Sequence, residues 1–422
     1  MTRTPLLYWT QSLWRDEAYS IWIADASISE VIKRTSGDYN PPLYYLLLKF
    51  WMHLFGKNEL ALRGFSLIAF LLFLMVVYLF SKKLFKDPRW RMRTLLLFAT
   101  NPMLLYFAFE LRMYALLTLF TGLSMYFCFE KNWRWYIVVT ALGMYTQPFM
   151  SFVVLTQTLY FIITKHRMVA IKNALIIFAL YLPWMPTLIA QIRASGPMWI
   201  NSVDLKLFLS VLGNLYVGYE GIPPGLWHGM YILSFLFLVL SVWLWRQKSL
   251  RSTSLLFLLW VYIPTAIVLL ISLVKPIYVH RYLIYVTVGE VMLVSFALYH
   301  LASTWKYRLM IMILAAQILF TLYFAPYHIK IPIRDTFQTI TPILDPYDMI
   351  YAASPLVYYE SLYYAPQGIP VYLYNPEKIT PPRFVGSIGM PPSTWRSDIP
   401  VFPNQAFMIN EDGSYKILTA AR

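Results

Sequence analysis

The sequence predicts a mostly α-helical, polytopic transmembrane bundle of about ten spans. Juxtamembrane helices in a first outward loop and a small C-terminal α/β extracytoplasmic domain complete the predicted fold. Composition, the spacing of apolar runs and the alternation of loop charge carry this reading. Of 422 residues, 59% are hydrophobic and 13% charged, against about 25% charged in soluble domains. Apolar stretches occur at 62–80, 94–109, 114–129, 135–148, 150–164, 173–190, 227–245, 254–274, 282–302 and 309–325. Crossing a bilayer takes about 20 apolar residues. Several of these runs are shorter, and the two that meet at Gln147-Pro148 are joined by a tight turn.

Loop charge orients the runs. With the loop after the first span taken as cytoplasmic, alternate loops read "KKLFKDPRWRMR", "EKNWRW", "KHRMVAIK", "RQKSLR" and "WKYR". The intervening loops, "ELRM", "TQPF", residues 191–226 and "VKPIYVHRY", are poor in cations. Lys and Arg are retained on the cytoplasmic side during insertion. The alternation therefore puts residues 1–61 and 326–422 outside, flanking a bundle at 62–325, in a multi-pass protein of the inner or plasma membrane. The same retention accounts for the formal net charge of +15, so the charge does not imply nucleic-acid binding. Cys128 is the only cysteine and lies in an apolar run, where it reads as a small core residue. No Cys/His cluster has zinc spacing.

After Tyr327 the long apolar runs stop and proline becomes frequent. "DMIYAAS" and "IPVYLYN" read as short strands, "PLVYYESLYYA" as an amphipathic helix, and "EDGSYKIL" as a turn entering a strand. Strand–helix–strand order predicts a small α/β domain whose last third is loop-rich. At the other end, "MTRTPLLYWTQSLW" is too short in apolar residues to span and lacks a signal-peptide h-region. The expectation is a start codon downstream of the true one, with a first transmembrane helix upstream. The alternative is an N-terminus drawn across with the first span.

Polar residues sort by side. The outer face collects Arg15, Asp16, Glu17, Lys33, Arg34, Asp38, Glu110, Arg112, His280 and Arg281. Arg112 in "FELRMYALL" and Arg281 in "YVHRYLIY" sit at helix ends beside aromatics, in Tyr114 and Tyr282 among others. Such arginines hold a phosphate at headgroup level, or serve as interfacial anchors. The Asp16-Glu17 pair has three readings: an exposed loop charge, an ion pair with Arg15 or Arg112, or a general base at an outward cleft. Adjacent helical residues point about 100° apart, so the two carboxylates cannot serve one atom equally. In "GDYNPPLYYLLLKFW", Pro41-Pro42 presets a helix that Asp38 or Asn40 can cap. The aromatic face of that helix suits the membrane interface.

"LWRDEAYS", then "GDYNPPLYYLLLKFW", then "ALRGFS" at the entry to a span resemble the bacterial relatives of protein O-mannosyltransferases. The lipid A aminoarabinose transferases fall in the same broad class, the GT-C fold of membrane glycosyltransferases that use polyprenyl-phosphate sugars. "LRMYALL" and "HRYLIY" look like two further patterns of that class. The resemblance implies that Asp16 is the catalytic carboxylate, supported by Glu17, with Arg112, Arg281 and His280 on the donor phosphate. Arg15, Asp38, Asn40, Tyr114 and Tyr282 would make substrate or structural contacts. Relatives carry His or Lys before Pro41, whereas this chain has Asn40; no metal site is assigned, and a divalent cation is left open. The implied reaction inverts the sugar as it moves from a polyprenyl-phosphate donor to a hydroxyl of a cell-envelope glycan, lipid or protein. The competing readings are a transporter or lipid flippase, with Glu290 its best intramembrane carboxylate, and an envelope polysaccharide ligase or polymerase.

Overall fold

A computed structural model describes residues 4–194, 200, 202–218, 224–301 and 304–421. The N-terminal part holds α1 (Leu6–Thr10), α2 (Arg15–Ala24), α3 (Ile28–Gly37) and α4 (Leu43–Phe55). The first half of the bundle follows as α5 (Glu59–Leu84), α6 (Pro88–Thr100), α7 (Pro102–Ala108), α8 (Tyr114–Phe129), α9 (Trp133–Thr146) and α10 (Met150–Ile163). Its second half is α11 (Arg167–Tyr181), α12 (Met185–Arg193), α13 (Leu205–Val217), α14 (Trp227–Arg246), α15 (Arg251–Ser272), α16 (Ile284–His300) and α17 (Trp305–Phe324).

Among the described residues, six helical segments are long and apolar enough to cross a membrane: Glu59–Leu84, Arg167–Arg193, Trp227–Arg246, Lys248–Ser272, His280–His300 and Trp305–Ile343. Four shorter apolar helices, α4, α8, α10 and α13, accompany them. Each predicted run coincides with helix over most of its described residues, residue 302 lying outside them; one run is broken, and one stretch read as a loop holds a helix. The 94–109 run breaks into α6 and α7 at Asn101-Pro102. There Pro102 opens the new helix, and the Asn101 side chain accepts from the Leu104 amide at 3.1 Å while donating to the Tyr216 carbonyl at 2.9 Å. The 191–226 stretch, read as a loop, contains α13. Asp204 caps it through the Leu207 amide at 2.7 Å, and Gly218 ends it in the left-handed region at φ +74°. Residues 195–199, 201 and 219–223 of that stretch lie outside the described residues.

Burial follows the chemistry of each face. α16 is apolar nearly all round and is buried from Ile284 to Leu298, as a helix without a polar face must be. α14 and α17 turn Ile232, Phe235, Ile311 and Leu319 outward, where lipid rather than water is the fitting solvent. α4 buries Tyr44, Tyr45, Leu48 and Met52 and exposes Phe50, Leu54 and Phe55, the two-sided character expected of an interfacial helix.

The C-terminal part continues with α18 (Ile333–Ile340), β1 (Met349–Ala352), α19 (Tyr358–Tyr364), β2 (Val371–Tyr374), β3 (Trp395–Arg396), β4 (Ala406–Ile409) and β5 (Tyr415–Leu418). The sheet order is β3-β2-β1-β4-β5; β4 and β5 pair antiparallel and the other pairs are parallel. The four segments read from the sequence are present as β1, α19, β2 and the turn into β5, while β3 and β4 escaped that reading. α19 lies on α2, where Tyr359 packs edge-on to Tyr19 at 4.8 Å and against Trp22 at 5.4 Å. The C-terminal domain therefore covers the helix that carries "RDEAYS".

Candidate active site

Helix α2 begins at Arg15, so Asp16 and Glu17 occupy its first turn, where the unpaired amides and the helix dipole favour negative charge. Their side chains diverge, as adjacent helical positions must. Asp16 lines a cavity of about 620 Å³. Its Oδ1 accepts from Arg15 Nε at 3.1 Å, and its Oδ2 lies 3.8 Å from Arg112 Nη2. Arg112 also donates through Nη1 to the Asp16 carbonyl at 3.0 Å. Burial pushes the Asp16 carboxyl up, but Arg112, Arg15 and Arg281 outweigh it and hold it at about 2. It is a carboxylate at any physiological pH.

Glu17 turns the other way and is fully buried. Arg63 grips it with Nε to Oε1 at 2.9 Å and Nη2 to Oε2 at 2.7 Å. Lys330 Nζ adds 2.9 Å to Oε2, and the Leu111 amide 3.0 Å to Oε1. Glu17 also accepts from the Trp14 amide at 3.3 Å, reaching back over the start of its own helix. It does not line the cavity, so any support it lends Asp16 passes through the helix they share. Glu17 anchors the helix on which Asp16 stands.

The cavity gathers Arg15, Asp16, Asp38, Asn40, Arg112, Arg281 and Tyr282. Arg112 comes from the turn between α7 and α8, and Arg281 from the short 3₁₀ turn that leads into α16. Both are buried. Asp38 and Asn40 come from the α3–α4 connection, where Asn40 Nδ2 donates to Asp38 Oδ2 at 3.2 Å. Burial raises the Asp38 carboxyl above its ordinary range, against Arg112 and Asn40, which pull it down. Tyr114 and His280, also expected at the site, do not line this cavity. Tyr114 is buried edge-on to Phe107 at 4.7 Å, and His280 packs edge-on to Tyr278 at 5.3 Å. Glu290 is fully buried in α16, outside the cavity.

Away from these charges the cavity wall is apolar, built by residues such as Phe149, Phe152, Phe178, Met185, Leu188 and Ile192 of α10 to α12 and the turn before α10. An apolar cavity of about 390 Å³ between α10 and α11 shares Met144, Ser151 and Phe178 with it and extends the greasy wall along the helices. Phe384 of the C-terminal domain closes the opposite side. The loop bearing it is tied down by Arg383, whose Nε and Nη2 donate to the Gly37 carbonyl at 3.0 and 2.7 Å. The site thus couples a charged head to an apolar trough, which fits an amphiphile with an anionic headgroup. Among the described residues, no three His, Cys, Asp or Glu side chains cluster in a way that could hold a metal ion.

Arg63 and Lys330 escaped the sequence reading. Arg63 had a signal, a cation inside an apolar run in "ALRGFS", which demands a buried partner. Lys330 had none, because its contact with Glu17 depends on the chain returning over a separation of 313 residues.

The arrangement of apolar helices, a carboxylate-bearing N-terminal helix and a small α/β domain packed over it is not peculiar to this chain. Two solved structures carry the same fold. ArnT from Cupriavidus metallidurans in the apo state matches with a TM-score of 0.64 at 12% identity, over 96% of this chain and 91% of that one. ArnT from the same organism bound to undecaprenyl phosphate matches with a TM-score of 0.60 at 13% identity and the same coverage. In sequence, residues 39–189 match the family model for dolichyl-phosphate-mannose-protein mannosyltransferases. No curated protein matches the chain in sequence.

Proposed function

We propose that this protein is a membrane glycosyltransferase that moves a sugar from a polyprenyl-phosphate donor to the hydroxyl of an extracytoplasmic glycan, lipid or protein. The observation that carries the proposal is the meeting of Asp16 with Arg15, Arg112 and Arg281 at the head of one largely apolar cavity. The family match over residues 39–189 and the fold shared with ArnT support the same reaction class.

In this reading the lipid tail lies along α10 and α11 and the phosphate sits on Arg112 and Arg281. Charge-assisted hydrogen bonds from buried guanidinium groups suit a leaving phosphate, whose negative charge grows as the glycosidic bond breaks. The same arginines, with Arg15, outweigh burial and hold Asp16 at about 2. A phosphate arriving there competes for their charge, so the carboxylate becomes more basic as the donor binds. Asp16 then takes the proton of the acceptor hydroxyl. The acceptor oxygen bonds to the anomeric carbon, and the electron pair of the old bond leaves with the phosphate. One displacement of this kind inverts the anomeric centre.

The test is transfer by the full chain in membranes supplied with radiolabelled polyprenyl-phosphate sugar and cell-envelope acceptors. Asp16→Asn keeps the side-chain shape and removes the base, and the rate is expected to fall by roughly 10²–10⁴-fold. Transfer at the wild-type rate by a folded Asp16→Asn protein overturns the assignment.

A further inference from the structure

A second polar cavity, of about 240 Å³, lies on the far side of Arg281 from the apolar trough. Arg281 lines both spaces, whereas Asp16 and Arg112 line only the first. The second cavity is walled by Trp14, Tyr106, Phe107 and Tyr327, with Glu110 and Lys330 among its polar groups. Glu110 is 3% exposed, and its Oε2 has no hydrogen-bond partner among the described residues. A buried carboxylate oxygen left unsatisfied is costly, and the cost is removed only when a donor arrives. The neighbouring cation does not supply that donor: Lys330 Nζ donates to Glu17 Oε2 at 2.9 Å, and no hydrogen bond joins it to Glu110 Oε2.

The lining selects the chemistry of the occupant. Arg281, Lys330 and His328 also line the space, but Lys330 is paired with Glu17 and Arg281 also serves the Asp16 cavity; the Glu110 oxygen still calls for a donor, which a sugar hydroxyl brings and a phosphate does not. Aromatic faces beside a hydrogen-bond acceptor suit a ring with C–H bonds on its faces and hydroxyls on its rim. The volume is below the roughly 300–1,000 Å³ of pockets for drug-sized ligands, which limits the occupant to a single small ring. Gly218, at φ +74° and packed on Met103, lets the chain close this end, since a Cβ there would lie 2.1 Å from the Met103 Cβ. We propose that this cavity is a monosaccharide subsite in which Glu110 Oε2 accepts from sugar hydroxyls and Tyr106 and Trp14 offer their rings to the sugar face. Its link to catalysis, through Arg281, rests on the transferase reading above.

The sugar has two possible sources, the donor and the acceptor, and one set of measurements separates them. The full chain in nanodiscs is titrated with methyl glycosides of hexoses and of an aminopentose, and binding is read by saturation-transfer NMR. Saturation of at least one glycoside is expected in the wild type and loss of it in both Glu110→Gln and Tyr106→Leu, with thermal midpoints reporting that the variants are folded. Absence of saturation in the wild type, or equal saturation in both variants, overturns the subsite; a cavity filled only by water gives that result. The same protein is then titrated with undecaprenyl phosphate and with its mannosyl derivative. A donor source predicts that the mannosyl lipid binds about tenfold more tightly and that Glu110→Gln removes the gain. Equal binding of the two lipids, or a gain that survives Glu110→Gln, assigns the subsite to the acceptor. Failure of the wild type to bind undecaprenyl phosphate counts against the proposed transferase while leaving the glycoside result to decide the cavity.

Discussion

Arg63 donates to the carbonyls of Trp9, Gln11 and Ser12 and to both oxygens of Glu17, at 2.6 to 3.0 Å. A guanidinium this deeply buried is tolerable only because every donor direction is used. Burial alone would push the Glu17 carboxyl up; Arg63 and Lys330 outweigh it and bring it to about 2. A carboxylate depressed in the folded state stabilises the fold above its unfolded range, and that stability is lost as pH falls toward the folded value. Glu17→Gln should therefore destabilise the protein by about 3–5 kcal/mol at neutral pH, as expected when one partner of a buried pair is removed. It should also flatten the acid side of the stability profile. Thermal unfolding in nanodiscs from pH 7 down to pH 3 checks both, and an unchanged midpoint would show the pair to be dispensable. At this scale the sequence singled out the Asp16-Glu17 pair, because carboxylates beside a cation are rare in an oily chain, and only the resemblance chose Asp16. It left Glu17 ambiguous, since the angle between the two side chains is visible but not what each one meets.

Among the elements, α13 and α14 approach closely at Gly213. A Cβ added at Gly213 would lie 2.4 Å from the Met230 carbonyl oxygen, a backbone atom that cannot swing aside. Gly213→Ala must part the two helices, at a cost of about 1–3 kcal/mol. Gly229→Ala, with nothing within 4 Å of the added methyl, should be neutral or slightly stabilising. Comparing the two thermal midpoints tests whether this contact sets the packing, and equal midpoints would refute it. α13 itself was illegible as a helix because 13 residues fall well short of a spanning run and the flanking residues are polar. The break at Asn101-Pro102 could have been read, since Asn followed by Pro is a helix-start signal, but apolar residues on both sides hid it. β3 and β4 were missed for a simpler reason: two and four residues among prolines and turns give no periodicity to read.

Across the whole molecule, the site exists only where distant segments meet. Asp16 comes from the first turn of α2, Arg112 from the turn between α7 and α8, Arg281 from the entry to α16 and Phe384 from the C-terminal domain. The domain is held over the site by contacts that no local pattern announces. Tyr364 accepts from the Leu13 amide at 2.8 Å, Tyr363 donates to the Lys57 carbonyl at 2.7 Å, and Arg383 reaches Gly37. Glu360 of α19 sits in the same seam; burial pushes its carboxyl up to about 8 despite nearby Arg15 and Lys330. Composition and the spacing of apolar runs were enough to anticipate a helical bundle, because insertion acts on segments one at a time. The cavity was not, because it depends on how those segments pack. The central claim is that Arg112 and Arg281 hold the phosphate of a lipid-linked donor. The most direct measurement is the affinity of the full chain in nanodiscs for undecaprenyl phosphate. Arg112→Ala and Arg281→Ala should each weaken it by about tenfold or more, as the loss of a charge-assisted hydrogen bond implies. Affinities of both variants equal to that of the wild type would contradict the account.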